Sequence, residues 1–293
     1  RSLCFPTFPR FAGQMFLESP DKEVALLSVL AFNDWMIDEW CAPSGGRLIP
    51  LCLVPLWDAQ LAAAEVRRVA ARGCRAITFP ELPTYLGLPS IHDRDGWWEP
   101  LWQACDETGV TVHMHIGSGS RMPQTSADAP SGVGVAVTSI NAFMALADWL
   151  LSGVLARHPN VKIAFSESQV GWMPYVFERC DRVFHQSSGW SEINPSVTEL
   201  PSSYVPGRVF GCFFDDSVGI VSLGGSAGTG KCAQIGVGQL LFEVDYPHQD
   251  STWPNTPGVV ERIAAEVTPE ELVRIMRTNA IELLDLDPTP LKV

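Results

Sequence analysis

Short apolar runs rich in Val, Ile, Leu and Phe alternate along this chain with longer stretches whose apolar residues recur every three or four positions. That alternation constrains the fold more than any other feature. Strands that are apolar on both faces must be covered on both faces, and the intervening helices supply the cover. The pattern therefore predicts a parallel sheet wrapped by helices. Residues 3–8 read as the first strand, and the following helix is predicted to open with Ser19 as N-cap and Pro20 in first position and to run to about residue 41. Strand 48–54 precedes a helix capped by Asp58 and stopped by Gly73. The unit repeats as strand 76–79 with helix 97–108, strand 110–115 with helix 138–155, and strand 161–166 with helix 172–184. Strand 209–214 runs into a Gly-rich stretch, strand 239–244 follows, and the chain ends in helix 258–266 and a helix opened by the capping box Thr268-Pro269-Glu270-Glu271. This makes seven strand–helix units. A closed (β/α)8 barrel takes eight, whereas an open doubly wound sheet can stop at seven.

With 293 residues, 46% of them apolar, the chain can bury one large core, and no composition shift divides it; residues 1–293 read as one domain. The formal charge of −13 repels phosphate backbones and anionic lipid, which argues against nucleic-acid and membrane-surface roles. No apolar run is read as approaching the roughly 18–20 residues that cross a bilayer. A small molecule is the expected partner. The eight cysteines form no C-x-x-C pair, and several sit inside apolar runs, as Cys52 does. This scatter suits reduced, buried thiols in a cytoplasmic enzyme.

In parallel α/β folds the site forms at the carboxyl ends of the strands. Read there, the chain offers His113-Met114-His115-Ile116-Gly117, Ser166-Glu167-Ser168, Asp215-Asp216, and Glu243-Val244-Asp245-Tyr246-Pro247-His248. His113 and His115, two apart, point to one face, with His115 nearer the mouth. A neutral imidazole there is the commonest metal ligand; the plainer alternative is a pair of hydrogen-bonded core histidines. Asp245 follows Leu240-Leu241-Phe242, where a carboxylate is costly unless it is paired or metal-bound. A cap or salt bridge is the plainer alternative. His248, in a Pro-containing loop, is better placed for substrate than for metal. Glu167 reads equally as a third ligand, a general acid or base, or the partner of an arginine such as Arg179. Arg121 either clamps a substrate carboxylate or is a solvated loop residue. The tryptophans read as packing, except Trp253, which has a claim to line the site.

Two motifs are set aside. Gly225-Ser226-Ala227-Gly228-Thr229-Gly230-Lys231 matches a phosphate loop, but Cys232 stands where Ser or Thr should meet magnesium. Gly224-Gly225-Ser226-Ala227-Gly228 matches a nucleophile elbow, yet Gly228-Thr229-Gly230-Lys231 is a poor helix start. The stretch reads instead as a surface loop replacing most of a barrel helix.

At these residues the chain resembles the amidohydrolase-related family whose best-known member is aminocarboxymuconate-semialdehyde decarboxylase. The resemblance spans essentially the whole sequence. It is carried by Asn33-Asp34-Trp35 with Gly46-Arg47-Leu48-Ile49-Pro50, by Val112-His113-Met114-His115-Ile116-Gly117, and by Gly171-Trp172-Met173-Pro174-Tyr175 with Glu178-Arg179. Val244-Asp245-Tyr246-Pro247-His248, Asp250-Ser251-Thr252-Trp253-Pro254 and the final Asn279-Ala280 complete it. The resemblance implies a (β/α)8 TIM barrel whose first strand–helix unit, with its pair of metal ligands, is absent or incomplete here. It also implies one divalent metal, zinc with manganese as the other candidate, held by His115 and Asp245 together with those first-strand residues, and it suggests a homodimer. Where the family's decarboxylases carry a histidine on the sixth strand, this chain has Ser166-Glu167-Ser168, which shifts the expectation toward hydrolysis.

The expected activity is therefore a metal-dependent hydrolase acting on a small carbonyl- or carboxylate-containing molecule through a metal-activated water. Asp245 would take the proton, and Glu167 or His248 would return it to the leaving group. Arg121, Trp253 and His113 would contact substrate. The alternative is a nonoxidative metal-dependent decarboxylase of an aromatic or enol-type acid. A barrel that has lost catalysis is third.

Overall fold

The computed structural model describes residues 1–187, 189–221 and 235–289. Both discounted motifs, with Cys232, lie outside them. Among the described residues there are seven strands, all paired in parallel: β1 (Ser2–Cys4), β2 (Leu48–Pro50), β3 (Ala76–Thr78), β4 (Thr111–His115), β5 (Ile163–Ser166), β6 (Val209–Phe213) and β7 (Leu240–Phe242). β1 pairs with β2, and β3 to β7 form a second sheet in sequence order. A parallel bridge from Cys52 to Ile77 links the two. The strands thus follow one another side by side in chain order. Their described pairings do not close into a ring, since β1 and β7 each have a single strand partner.

The helices between them are α1 (Gln14–Glu18), α2 (Lys22–Trp35), α3 (Ala59–Ala71), α4 (Glu99–Thr108), α5 (Ser131–Ala136), α6 (Ile140–Leu151), α7 (Val154–Arg157), α8 (Met173–Ser187), α9 (Ser217–Val221), α10 (Thr256–Glu266), α11 (Pro269–Val273) and α12 (Asn279–Leu283). Successive strand residues alternate between two cores. Ile77, Val112, Met114, Ile163, Phe165, Val209, Phe213 and Leu240 face the helices, packed with Trp98, Trp102 and Trp149. Ile49, Ala76, Ala164, Phe210, Cys212 and Leu241 form a second, inner cluster with Leu3 and Phe5 packed against it. An inner cluster fed by nearly every strand is what a sheet curling around its own side chains produces. It also fixes which residues reach the inner face at the carboxyl ends.

Several expected boundaries shift, for local reasons. The cap of α2 is Asp21, not Ser19: its carboxylate accepts from Glu23 and Val24 N–H, whereas Ser19 closes the short α1. α2 continues to Cys41 as a wider π-helical turn, Met36–Cys41. The helix expected over 138–155 is broken into α6 and α7 at Ser152 and Gly153, where Gly153 takes φ 78°. The expectation that no apolar run is long enough for a bilayer is corrected: Ser131–Leu151 qualifies by length and composition, at mean hydropathy 1.5. A turn at residues 137–139 divides it, and Ala142, Ala145, Leu146, Trp149 and Leu150 of α6 are buried. Other expectations hold. Asp58 caps α3 through Gln60 and Leu61 N–H, and Thr268 with Glu271 forms the capping box of α11. Asn279 ties α12 to the start of β7 by donating to Val237 O (2.7 Å) and Leu240 O (2.8 Å).

Candidate metal and catalytic centre

Four titratable side chains meet at the carboxyl ends of β4, β5 and β7. His115 is the last residue of β4 and 4% exposed. Its Nδ1 donates to the Ile116 carbonyl at 2.7 Å, which leaves Nε2 facing Glu167 Oε1 at 2.8 Å. The imidazole is held by two rings: Phe11 stacks on it at 3.9 Å between centroids, and Phe5 meets it edge-on at 4.7 Å. Both phenylalanines come from the segment after β1. A ring so held loses little further freedom on meeting a ligand.

Glu167 immediately follows β5, and Asp245 lies three residues beyond β7. Both take left-handed backbone conformations, each at φ 57°, which turn the chain sharply at the strand end. Such conformations cost non-glycine residues on the order of 1–3 kcal/mol and tend to gather at functional sites. Glu167, Asp245 and His248 each offer a ligand atom within 4.8 Å of the other two. His248 Nδ1 lies 2.9 Å from Asp245 Oδ2, with its ring largely in solvent.

The electrostatics separate the two acids. Burial alone would raise Glu167, but the His115 hydrogen bond and charge, with help from Asp245, hold its carboxyl below the usual range. Asp245 goes the other way, to about 6, raised by burial and by its hydrogen bond with Glu167 against the lowering effect of His248. As pH falls, Asp245 therefore takes up a proton before Glu167 does. His248 is raised, chiefly through its hydrogen bond with Asp245. Just past β7 and two residues before Asp245, Glu243 Oε1 accepts the Glu167 N–H at 2.7 Å. Burial and the neighbouring Glu167 push its carboxyl far above the usual range.

The donor set fits a divalent cation. Glu167, Asp245 and His248 bring ligand atoms within 4.8 Å of one another, while His115 meets this set through Glu167, and a carboxylate-rich set suits a hard ion such as manganese. The amidohydrolase profile matches residues 3–286. The chain belongs to the amidohydrolase family. Solved structures similar to this amidohydrolase include one from Mycobacterium avium subsp. paratuberculosis K-10, at 24% identity and a TM-score of 0.72, covering 91% of this chain and 66% of the other. A 5-carboxyvanillate decarboxylase from Sphingomonas paucimobilis matches at 18% identity and a TM-score of 0.72, covering 91% and 75%. A 2,6-dihydroxybenzoate decarboxylase from Rhizobium matches at 17% and 0.64, covering 92% and 80%. These likenesses give the amidohydrolase a TIM-barrel-like α/β fold. No curated protein matches it.

The remaining expected residues fall at different distances from the centre. His113 is 2% exposed and sits below His115 on the inner face, 2.9 Å from Thr111 Oγ1. Its Nδ1 has no partner among the described residues, and burial lowers it to about 4, so it is neutral. Arg121 is exposed and lies over the Tyr85 ring at 4.9 Å. Trp253, also exposed, packs edge-on against Tyr246 at 5.4 Å, beside Asp245 and His248. Glu167 is paired with His115; Arg179, its suggested partner, is exposed on α8. Asp215 and Asp216 have structural partners. Asp215 meets Arg262 at 2.7 Å, and Asp216 accepts the Val170, Gly171 and Gly219 N–H groups. Sequence reasoning missed Phe5, Phe11 and Glu243. Only Glu243 carried a signal, as an acid directly after the apolar run Leu240-Leu241-Phe242.

Proposed function

We propose that this amidohydrolase is a metal-dependent nonoxidative decarboxylase of a planar aromatic or enol-type acid. The observation that carries this reading is the carboxylate pair Glu167–Asp245, flanked by His115 and His248 and bordered by Phe5, Phe11, Tyr246 and Trp253. Decarboxylation needs a polarised carboxylate and a proton delivered to carbon. His248, raised by its hydrogen bond with Asp245, can carry that proton, and flat aromatic walls suit a flat acid. Similar structures that act on 5-carboxyvanillate and 2,6-dihydroxybenzoate support this reading over the hydrolysis expected from the sequence.

Glu167 and Asp245 would hold a divalent metal, with His115 fixing Glu167 at 2.8 Å and His248 left to carry protons, and the ion would supply Lewis-acid polarisation of the substrate's oxygens. Manganese, present in related decarboxylase structures, suits the donor set better than zinc. The bond to the carboxyl carbon breaks, its electron pair stays on the ring carbon, and carbon dioxide leaves. That carbon would take its proton from the His248 imidazolium, which lies 2.9 Å from Asp245 and is raised by it. Solvent would then reprotonate His248, whose ring is largely exposed. Glu167, kept ionised, holds the His115 ring in place. In the hydrolytic reading, Asp245 would instead accept a proton from water.

We also propose that the seven strands belong to an eight-stranded barrel, with the remaining strand lying between β7 and β1. The cytoplasm as its compartment and a homodimer as its assembly remain proposals of the same kind.

The test pairs metal analysis with chemistry. Plasma mass spectrometry on the full-length protein is expected to find about one manganese or zinc per chain, mostly lost in both His115→Ala and Asp245→Ala. Incubation with 5-carboxyvanillate or 2,6-dihydroxybenzoate in deuterated water is expected to release carbon dioxide and leave deuterium at the vacated ring carbon. A folded protein without metal would sink the proposal. Metal together with ester or amide cleavage, and no carbon dioxide, would turn it to hydrolysis.

A further inference from the structure

We propose that Glu81 is a positioning residue of this site: as a neutral acid its carboxyl clamps the turn that follows His115, and ionising it releases the clamp. The proposal rests on reading His115 as a site residue. Glu81 lies three residues past β3, at the same end of the sheet as the carboxylate pair. It is 3% exposed. Oε2 accepts the Gly117 N–H at 3.1 Å, and the Glu81 N–H donates to Ser118 Oγ at 2.9 Å. Oε1 is enclosed and has no partner among the described residues.

One hydrogen bond and one bare oxygen in an enclosed site cannot support a negative charge, whereas a carboxylic acid keeps its proton on the bare oxygen and still accepts from Gly117. Burial raises Glu81 to about 8, with the Gly117 N–H pulling the other way. The titratable groups on the elements packed around it are Tyr85 on the turn Pro83–Leu86, Arg121 over that ring, and His113 and His115 on β4, of which His113 is neutral.

The clamped turn is short and has little slack. Ser118 N–H donates to the His115 carbonyl at 3.0 Å, and Ser118 O accepts from the buried Gln14 Nε2 at 2.7 Å. Gln14 Oε1 in turn accepts the Ala12 N–H at 2.8 Å, while Thr78 Oγ1 donates to Phe11 O at 2.7 Å. Phe11 is the ring stacked on His115. Gly117 sits at φ 80°, where a side chain would also press on Met122 Sδ at 3.3 Å. A charged Glu81 would therefore loosen the turn beneath the His115 ring and its aromatic cage together.

The test tracks amide hydrogen exchange of the Gly117 segment in the full-length protein from pH 7 to 9, corrected for intrinsic base catalysis. In the parent, protection is expected to fall about tenfold at pH 9, the ratio of charged to neutral acid one unit above a midpoint near 8. In Glu81→Gln, which stays neutral and still accepts from Gly117, it is expected to stay flat. Manganese affinity by calorimetry is expected to match between the two at pH 7 and to favour Glu81→Gln by several-fold at pH 9. A flat parent profile overturns the proposal, even if Glu81→Gln fails to fold; so does the same fall in both proteins. Absence of manganese binding would count against the metal reading, while Gly117 exchange would still decide the role of Glu81.

Discussion

Replacing Asn33 by Ala should cost this fold on the order of 3 kcal/mol, because one amide closes three buried contacts. Asn33 is fully enclosed on α2. Its Oδ1 accepts the Leu53 N–H at 2.8 Å, while Nδ2 donates to Leu53 O at 2.9 Å and to Glu65 Oε1 at 2.6 Å. It thus mimics a strand partner for the chain just past β2. Truncation strands a donor and an acceptor of Leu53 and takes a donor from Glu65, which keeps Arg68 at 2.7 Å. Each stranded group costs roughly 1–3 kcal/mol, offset in part by water entering the gap. For a chain of this size that corresponds to a fall in Tm of roughly 5–10 °C. Asn33→Asp is the sharper comparison, since it keeps the acceptor for Leu53 N–H, loses both donated bonds and sets a charge against Glu65. It should fall at least as far. Differential scanning fluorimetry at pH 7 reads both; a drop under about 2 °C for either variant would refute the reasoning.

Two further perturbations test the packing and protonation around the site. Gly211 in β6 faces outward, where a Cβ would lie 2.5 Å from Val170 Cγ1 and 2.8 Å from Met173 Sδ; Gly211→Ala should therefore destabilise by about 1–3 kcal/mol. An unchanged Tm would show that the start of α8 yields freely. His113 is depressed to about 4 in the folded state, from 6.5. As pH falls from about 6.5 to 4, the unfolded chain takes up a proton that the folded one does not, and stability of up to about 3 kcal/mol is lost. His113→Gln should lack that part of the acid loss; identical melting curves against pH in parent and variant would count against a neutral His113.

The alternation of strand and helix was legible because burial on both faces leaves a pattern in every strand. Boundaries were less so. Asp21 displaced Ser19 because a cap is chosen by which carboxylate reaches two free N–H groups, and sequence offers both candidates. At the site, His115, Glu167, Asp245 and His248 were visible as polar residues directly after apolar runs. Their connection was not. That His115 meets Glu167 depends on the 2.8 Å reach across neighbouring strands, and the opposite shifts of Glu167 and Asp245 depend on that reach in turn. Phe5 and Phe11 were illegible as site residues, since an apolar residue after a strand reads only as core. Glu81 lies three residues past β3, where nothing in the sequence set it apart from other loop residues.

The carboxylate pair implies a conflict between stability and function that one substitution can expose. Asp245 is raised from 3.8 to about 6, foremost by burial and then by Glu167. As pH rises from 3.8 through 6, the unfolded chain releases a proton that the folded state retains. Stability of up to about 3 kcal/mol, less the share that solvent screens, is therefore lost by pH 7. Asp245→Asn keeps the shape, tolerates the left-handed backbone at φ 57° and removes the charge that Glu167 opposes. Without metal, it should melt above the parent at pH 7.5 by several degrees. Added manganese should reverse the order, because the ion stabilises only a protein that binds it, by an amount that grows with its concentration over Kd. A residue kept at a cost to the empty fold and repaid by a ligand is one retained for binding. If Asp245→Asn melts below the parent in the absence of metal, Asp245 is a structural partner of His248, and the case for a metal site at this end of the sheet weakens with it.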